Sequence, residues 1–375
     1  MLESDTSPWA LHPSDPTLIP RLVAAVSSAV DSAVPVRSLK RDARRFASWK
    51  QHCRELGTDH WRGDVRALSG EDPVGFAREN FLLASYAVRR YRELVPRSRR
   101  DAAAKPQSVR PYIGTVRNAH KRRGITLPPS SVVTNVLRGL LREYVRVHGS
   151  DALIPSRKEP IENAHVVSMY AHVRSASAGV NVTRSVTVSH GGVRFLCFRA
   201  LLNALRQTGA RKGDMIPVTA AEFDLSCVRR SNARWLIGGK IYRDPPPELL
   251  RSLKAGDRLL FKPASSKADQ LSLTFGDKDI PINYHDDELN FAFALAALEL
   301  AVPVRGDARS TAPMFTFDAS LASLGHADAD AIFKTLARLA LGDAVAGTLS
   351  LHGGRIFLAV ALRAQDYSTD MIKAF

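Results

Sequence analysis

The spacing of the apolar residues changes partway along this chain, and that change limits the folds open to it. Up to residue 149 the apolar positions recur with helical spacing. From 165 onward, helical patterns alternate with short β-like runs. Between them lies SDALIPSRKEPIENA, residues 150–164, with two prolines and no periodicity. A single bundle or a single sandwich cannot carry both patterns. The expected organisation is a helical domain over 37–149, a linker over 150–164 and a mixed α+β domain over 165–375. Residues 1–36, rich in Pro and Ser with one short apolar stretch, read as a loosely ordered lead-in.

The first domain carries four helical patterns, at 38–56, about 74–94, SVRPYIGTVRNAHKRRG and SSVVTNVLRGLLREYVRVHG. In the third, Val109, Tyr112, Ile113 and Val116 form an apolar stripe and Gly124 is a stop. In the fourth, Ser130 or Ser131 can cap the start, Val133, Leu137, Leu140, Leu141 and Tyr144 make the buried face, and Gly149 ends it. Beyond the linker, RFLCFRALLNALRQTGA (194–210) reads as a helix with a glycine stop. RWLIGGKIY, RLLFKPA, LSLTF and IPIN read as short strands, and DDELNFAFALAALELA and DADAIFKTLARLALG as helices. The fold class expected is mainly α with a small β-sheet.

Charge separates the two domains further. The chain carries a net +16. Residues 1–150 hold 26 Lys and Arg against 14 Asp and Glu, a balance of +12, and the remainder 27 against 23, a balance of +4. A basic lobe beside a nearly balanced one points to a polyanionic partner, most simply nucleic acid. Arg110, Arg117 and Lys121 lie away from the apolar stripe of the third helix, with Arg122 and Arg123 at its end. A helix with one buried and one basic face can lie along a phosphate backbone, although solvated faces of this kind are common. Three scattered cysteines with no CxxC argue against a disulfide framework or a zinc site. No run of apolar residues is long enough to span a bilayer, and the acidic N-terminus has no signal core, so an intracellular protein is expected.

The sequence holds no P-loop, dinucleotide fingerprint, HExxH or GxSxG motif, and no cofactor or metal is expected. His285-Asp286-Asp287-Glu288 reads as the acidic start of a helix rather than a metal site. Two His-x-x-Arg matches occur, His120/Arg123 and His352/Arg355, where chance supplies about one.

The second match has company. Thr208-Gly-Ala-Arg211-Lys-Gly-Asp214 resembles the first arginine box of the tyrosine recombinases, or phage integrases. PASSKADQ (263–270), between β-like runs, resembles the hairpin that presents that family's catalytic lysine, here Lys267. His352-x-x-Arg355, followed by an apolar helix, resembles the second box. The order is the family's, behind a basic helical domain, and the resemblance covers roughly 37–375. It is nearest to the divergent integrase-like proteins of eukaryotic mobile elements. It implies a four-helix, SAM-like core-binding domain followed by the catalytic domain, site-specific recombination or integration of double-stranded DNA through a 3′-phosphotyrosine, and a homo-oligomer assembled on DNA. The setting would be the nucleus in a eukaryote and otherwise the cytoplasm or nucleoid.

The residue types suit that chemistry. Two arginines, Arg211 and Arg355, can clamp the non-bridging oxygens of a crowded phosphorane with forked donors. Lys267 would protonate the leaving 5′ oxygen, His352 would assist proton transfer, and Asp214 would support the site. The covalent intermediate conserves the bond energy, so neither metal nor nucleotide is required.

There are departures. The stretch from Arg211 to Lys267 is long, suggesting an insertion around 234–257. Gly353 and Gly354 are unusual beside the second box. The nucleophilic tyrosine is missing: Tyr367, 12 residues after Arg355, would still be on or near the helix that starts at the second box, whereas the resemblance places the tyrosine later, on a separate helix. The chain therefore reads as a truncated or degenerate recombinase, or one whose last helix comes from elsewhere. The alternatives are a non-catalytic DNA-binding protein derived from a recombinase and, from another class, a helical adaptor or RNA binder. Lack of an RNA-binding aromatic motif weighs against the last.

Overall fold

The computed structural model describes residues 22, 24–25, 36–95, 104–127, 130–153, 158–219, 223, 227–264, 278–318, 320–369 and 372. These are mainly helical with a small antiparallel sheet. The chain divides into two compact units, Met1–Pro155 and Ser156–Phe375. The lead-in before Val36 lies almost wholly outside the described residues.

In the first unit, α1 (Val36–Glu55), α3 (Pro73–Glu93), α4 (Arg110–Arg122) and α5 (Ser131–His148) are joined by a short α2 (Val65–Ser69) and a 3-10 turn at Pro106–Val109. Sequence chemistry sets the boundaries. Asp64 caps α2 through the amides of Arg66 and Ala67, and Gly70 ends it at φ 84°. Asp72 caps α3 ahead of Pro73. Ser130 accepts from the Val133 amide and so is the cap of α5, and Gly149 terminates that helix. The core joins Trp49 and Cys53 of α1, Leu83 and Tyr86 of α3, Ile113 and Val116 of α4, and Val133 of α5. Burial is shallower along α5 than its pattern suggests: Val133 and Tyr144 are buried, while Leu137, Leu140 and Leu141 are half-buried.

The stretch expected to link the domains is only partly a connector. Ser150–Leu153 forms a 3-10 turn. At the other end, Ile161 is fully buried, the Glu159 amide donates to the Thr348 carbonyl, and α6 (Asn163–Ser175) has begun before residue 165. Backbone pairing and one apolar side chain draw 158–164 into the second unit, a signal that two prolines and a lack of periodicity concealed.

The second unit is organised around α7 (Val193–Thr208), ended by Gly209 at φ 63°. Phe195, Phe198, Leu201, Leu202 and Leu205 are at most 1% exposed, each stabilising by roughly 2 kcal/mol gross before the entropy of ordering is subtracted. Two later helices, α10 (Phe291–Ala301) and α12 (Gly353–Ala364), pack on α7, and α11 (His326–Thr348) packs on α6. A hairpin of β1 (Val180–Thr183) and β2 (Val186–Val188) follows α6. The one-turn α8 (Lys212–Met215) comes directly after α7. A four-stranded antiparallel sheet in the order β4-β3-β5-β6 comprises β3 (Ala233–Ile237), β4 (Lys240–Tyr242), β5 (Arg258–Phe261) and β6 (Ile280–Asn283). Gly238 and Gly239, both at positive φ, turn the β3–β4 hairpin. The region read as an insertion supplies β3, β4 and the short α9 (Pro247–Arg251), so it builds half of this sheet. The LSLTF run lies outside the described residues.

One helix start and one helix end differ from expectation. The acidic run 285–288 does not begin α10. Asn290 caps it through the Phe293 amide, while Asp287 holds a turn and Glu288 pairs with Arg174. Gly342 breaks α11 at φ 81°, ψ 163°, but the helix resumes and continues to Thr348.

Candidate active site

The end of α7 positions the first arginine. Gly209 takes the left-handed conformation, the chain turns, and Arg211 stands at the head of α8. Its guanidinium Nη1 is 4.0 Å from Asp214 Oδ2, and its side chain is 40% exposed. The turn is fastened to α11 at two points. Lys212 Nζ donates to both carboxylate oxygens of Asp330 at 2.7 and 2.6 Å. The His326 amide donates to the Pro217 carbonyl at 3.1 Å.

The start of α12 positions the second arginine. The His352 carbonyl accepts from the Arg355 amide at 3.1 Å, so backbone and side chain of His352 have separate tasks: the former opens the helix and the imidazole is exposed. At i and i+3 the two side chains share a helix face. The paired glycines between them have a packing reason. A Cβ at Gly353 would sit 2.4 Å from the Glu159 carbonyl oxygen, and one at Gly354 would sit 3.2 Å from Arg206 Cγ on α7. The missing side chain at Gly353 lets α12 begin against the 158–161 segment, and that at Gly354 eases its close approach to α7.

Electrostatics tie the two arginines together. Burial pulls the Arg355 guanidinium below its ordinary value, the positive charge of Arg211 pulls it further, and the Asp214 carboxylate opposes both. Residues far apart in sequence thus act on one another at one place. Arginine remains charged in spite of such shifts.

Of the remaining expected residues, Lys267 lies outside the described residues, in the connection from β5 to β6. Tyr367 follows the end of α12, bonded through its amide to the Leu362 carbonyl and 38% exposed. The 12-residue helix spans about 18 Å, which sets Tyr367 at the end opposite Arg355. No group of three or more metal-ligating side chains occurs among the described residues. Burial pushes the Cys53 and Cys197 thiols up to about 12, so neither offers a thiolate nucleophile at neutral pH.

In the first unit Arg110, Lys121, Arg122 and Arg123 are exposed and Arg117 is half-buried. The other His-x-x-Arg match has a structural role. His120 is fully buried, with Nδ1 2.8 Å from the Val116 carbonyl and Nε2 accepting from the Arg62 amide at 3.1 Å. Arg123 lies over the Trp61 ring, its Cζ 3.7 Å from the ring centroid. Sequence patterning did not single out Trp61; the available signal was an isolated large aromatic in the polar stretch GTDHWRGD.

Compared with known proteins, the chain matches no protein-family model and none of the curated proteins. No single helix among the described residues is long and apolar enough to cross a membrane.

Proposed function

We propose that this protein binds double-stranded DNA, as an oligomer on paired sites, and that its second unit carries the phosphate-clamping part of a tyrosine-recombinase-like strand-transfer site. What supports this reading is that the charge of Arg211, whose guanidinium lies 4.0 Å from Asp214, acts on the half-buried guanidinium of Arg355. In the reaction a tyrosine oxygen attacks phosphorus and a 3′-phosphotyrosine bond forms. The bond to the 5′ oxygen breaks, and that oxygen takes a proton from Lys267 and leaves as a hydroxyl. The arginines would hold the non-bridging oxygens throughout, and exposed His352, on the face of Arg355, would accept the tyrosine proton.

Tyr367 is too far along α12 to serve as the nucleophile. Residues 1–375 are therefore expected to bind duplex DNA without forming a covalent adduct on a nicked substrate. Replacing Arg211 and Arg355 together by Gln should lower the slope of log affinity against log salt by about 1, the contribution of one phosphate. An unchanged slope would remove the clamp from the DNA. The second reading, a DNA-binding protein without catalysis, is favoured by the position of Tyr367. It is tested by supplying a tyrosine-bearing C-terminal segment: cleavage refutes it, and a folded but inert chimera supports it.

A further inference from the structure

The loop between α1 and α2 is built to hold two rings at the surface. Beneath it, the Trp49 indole N–H donates to the His60 carbonyl at 2.8 Å, and the Arg62 amide donates to His120 Nε2. The Arg62 guanidinium donates to Glu79 and to Thr58 Oγ1. The Trp61 amide donates to Asp59 Oδ1 at 3.1 Å. With its backbone fixed in this way, the loop leaves the His60 and Trp61 side chains half-buried beside Phe46 of α1. The Phe46 and Trp61 centroids are 4.8 Å apart, and those of His60 and Trp61 5.3 Å.

Cations surround this aromatic group. Arg123 lies over Trp61, Lys50 Nζ is 5.7 Å from the Phe46 centroid, and the charges of Lys50, Arg123 and Arg54 all act on His60. The acid beside the rings is Asp59, 3.1 Å from His60 Nδ1. Clustered aromatic rings often receive a cation, but these surrounding cations repel one. The ligand that suits both features has a π-face and a negative charge, which is the chemistry of a nucleotide. In a paired duplex the base faces are already stacked, so only an unpaired base can use such a platform.

We propose that Phe46, His60 and Trp61, with Arg123, form a stacking platform for an unpaired base in a DNA strand whose phosphates lie on the adjacent Lys50 and Arg54. This rests on the reading of the protein as a DNA binder and adds to it a preference for DNA with a single-stranded gap. The full chain is titrated, by fluorescence anisotropy, into a paired duplex and into the same duplex carrying a short gap. The wild type is expected to favour the gapped form by about 5- to 150-fold, the range of one stacked base. Trp61→Leu should abolish that preference and leave duplex affinity and its salt slope unchanged, while Trp61→Phe retains it. A packing role for Trp61 would instead make the two substitutions alike.

Equal wild-type affinity for the two DNAs overturns the platform while the duplex-binding reading stands. Loss of duplex and gapped binding in equal proportion on Trp61→Leu also overturns it. Failure of the wild type to bind either DNA overturns both readings. As a measurement free of variants, ultraviolet crosslinking to iododeoxyuridine in the gap is expected to label the peptide containing Trp61. Crosslinks confined to other peptides would refute the assignment.

Discussion

A methyl group on Gly353 would collide with the Glu159 carbonyl oxygen at 2.4 Å and with Ile161 Cγ1 at 3.0 Å, whereas one on Gly347 meets nothing within 4 Å. Gly353→Ala is therefore expected to destabilise the protein by roughly 1–3 kcal/mol in urea denaturation, and Gly347→Ala to have no such cost. Equal effects would show that α12 starts elsewhere. A second residue-scale prediction concerns a buried charge cluster. Arg309 donates to both oxygens of Glu299, while fully buried Arg230 stands 3.9 Å from that carboxylate, and none of its guanidinium nitrogens has a hydrogen-bond partner. Burial lowers Arg230 from its ordinary value. For Arg309 burial acts the same way, but the bonds to Glu299 outweigh it and raise it. Arg230→Met should thus be neutral or stabilising, and Glu299→Ala should cost roughly 3–5 kcal/mol by stranding two guanidiniums. A loss on Arg230→Met comparable to that of Glu299→Ala would refute the asymmetry. Sequence could not sort these arginines from those at the surface, since helical spacing reports apolar faces and a buried guanidinium interrupts the same pattern as an exposed one.

At the scale of elements, helices with sustained apolar spacing and a polar or glycine terminus were legible: α1, α3, α4, α5 and α7 lie close to their expected ranges. Elements too short to show a period were not, which accounts for α2 and the β1–β2 hairpin. The start of α10 was misplaced because its cap is a neutral Asn290 after a run of acids. Packing among the first unit's elements also has a pH consequence. Burial lowers His52, His60 and His120 from their ordinary value of 6.5. Positive neighbours reinforce the shift, Arg89 at His52, Lys50 at His60 and Arg62 at His120. Below that value the unfolded chain binds protons that the folded unit resists. The histidines' contribution to stability is hence complete above about 6.5 and is lost as pH falls through the lowered folded values. Urea midpoints measured at successively lower pH should fall from there, and His120→Gln should flatten the fall. A midpoint that does not change over that window would contradict the burial of these rings.

For the molecule as a whole, most of the excess charge lies in residues 1–150, and exposed Lys121, Arg122 and Arg123 belong to it. Changing all three to Ala is expected to weaken binding to duplexes of unrelated sequence by similar factors and to reduce the salt dependence. No loss at low salt would detach the end of α4 from DNA. For the second unit the sequence supplied an order of motifs, and the structure adds that the charge of Arg211 acts on Arg355. It adds as well the ion pair of Lys212 with Asp330, which no local pattern could reveal because its partners lie on elements far apart in the chain.

Both arginines hang from the last turn of α7, one through Gly209 and the other through the contact of Gly354 with Leu205 and Arg206. They resemble the jaws of a caliper mounted on one arm, with the close approach of Gly354 to α7 fixing where the second jaw is attached. An alanine there requires its neighbours to shift by a few tenths of an ångström. In the proposed clamp, Gly354 would thus act on the placement of Arg355 without being one of the groups that hold the phosphate.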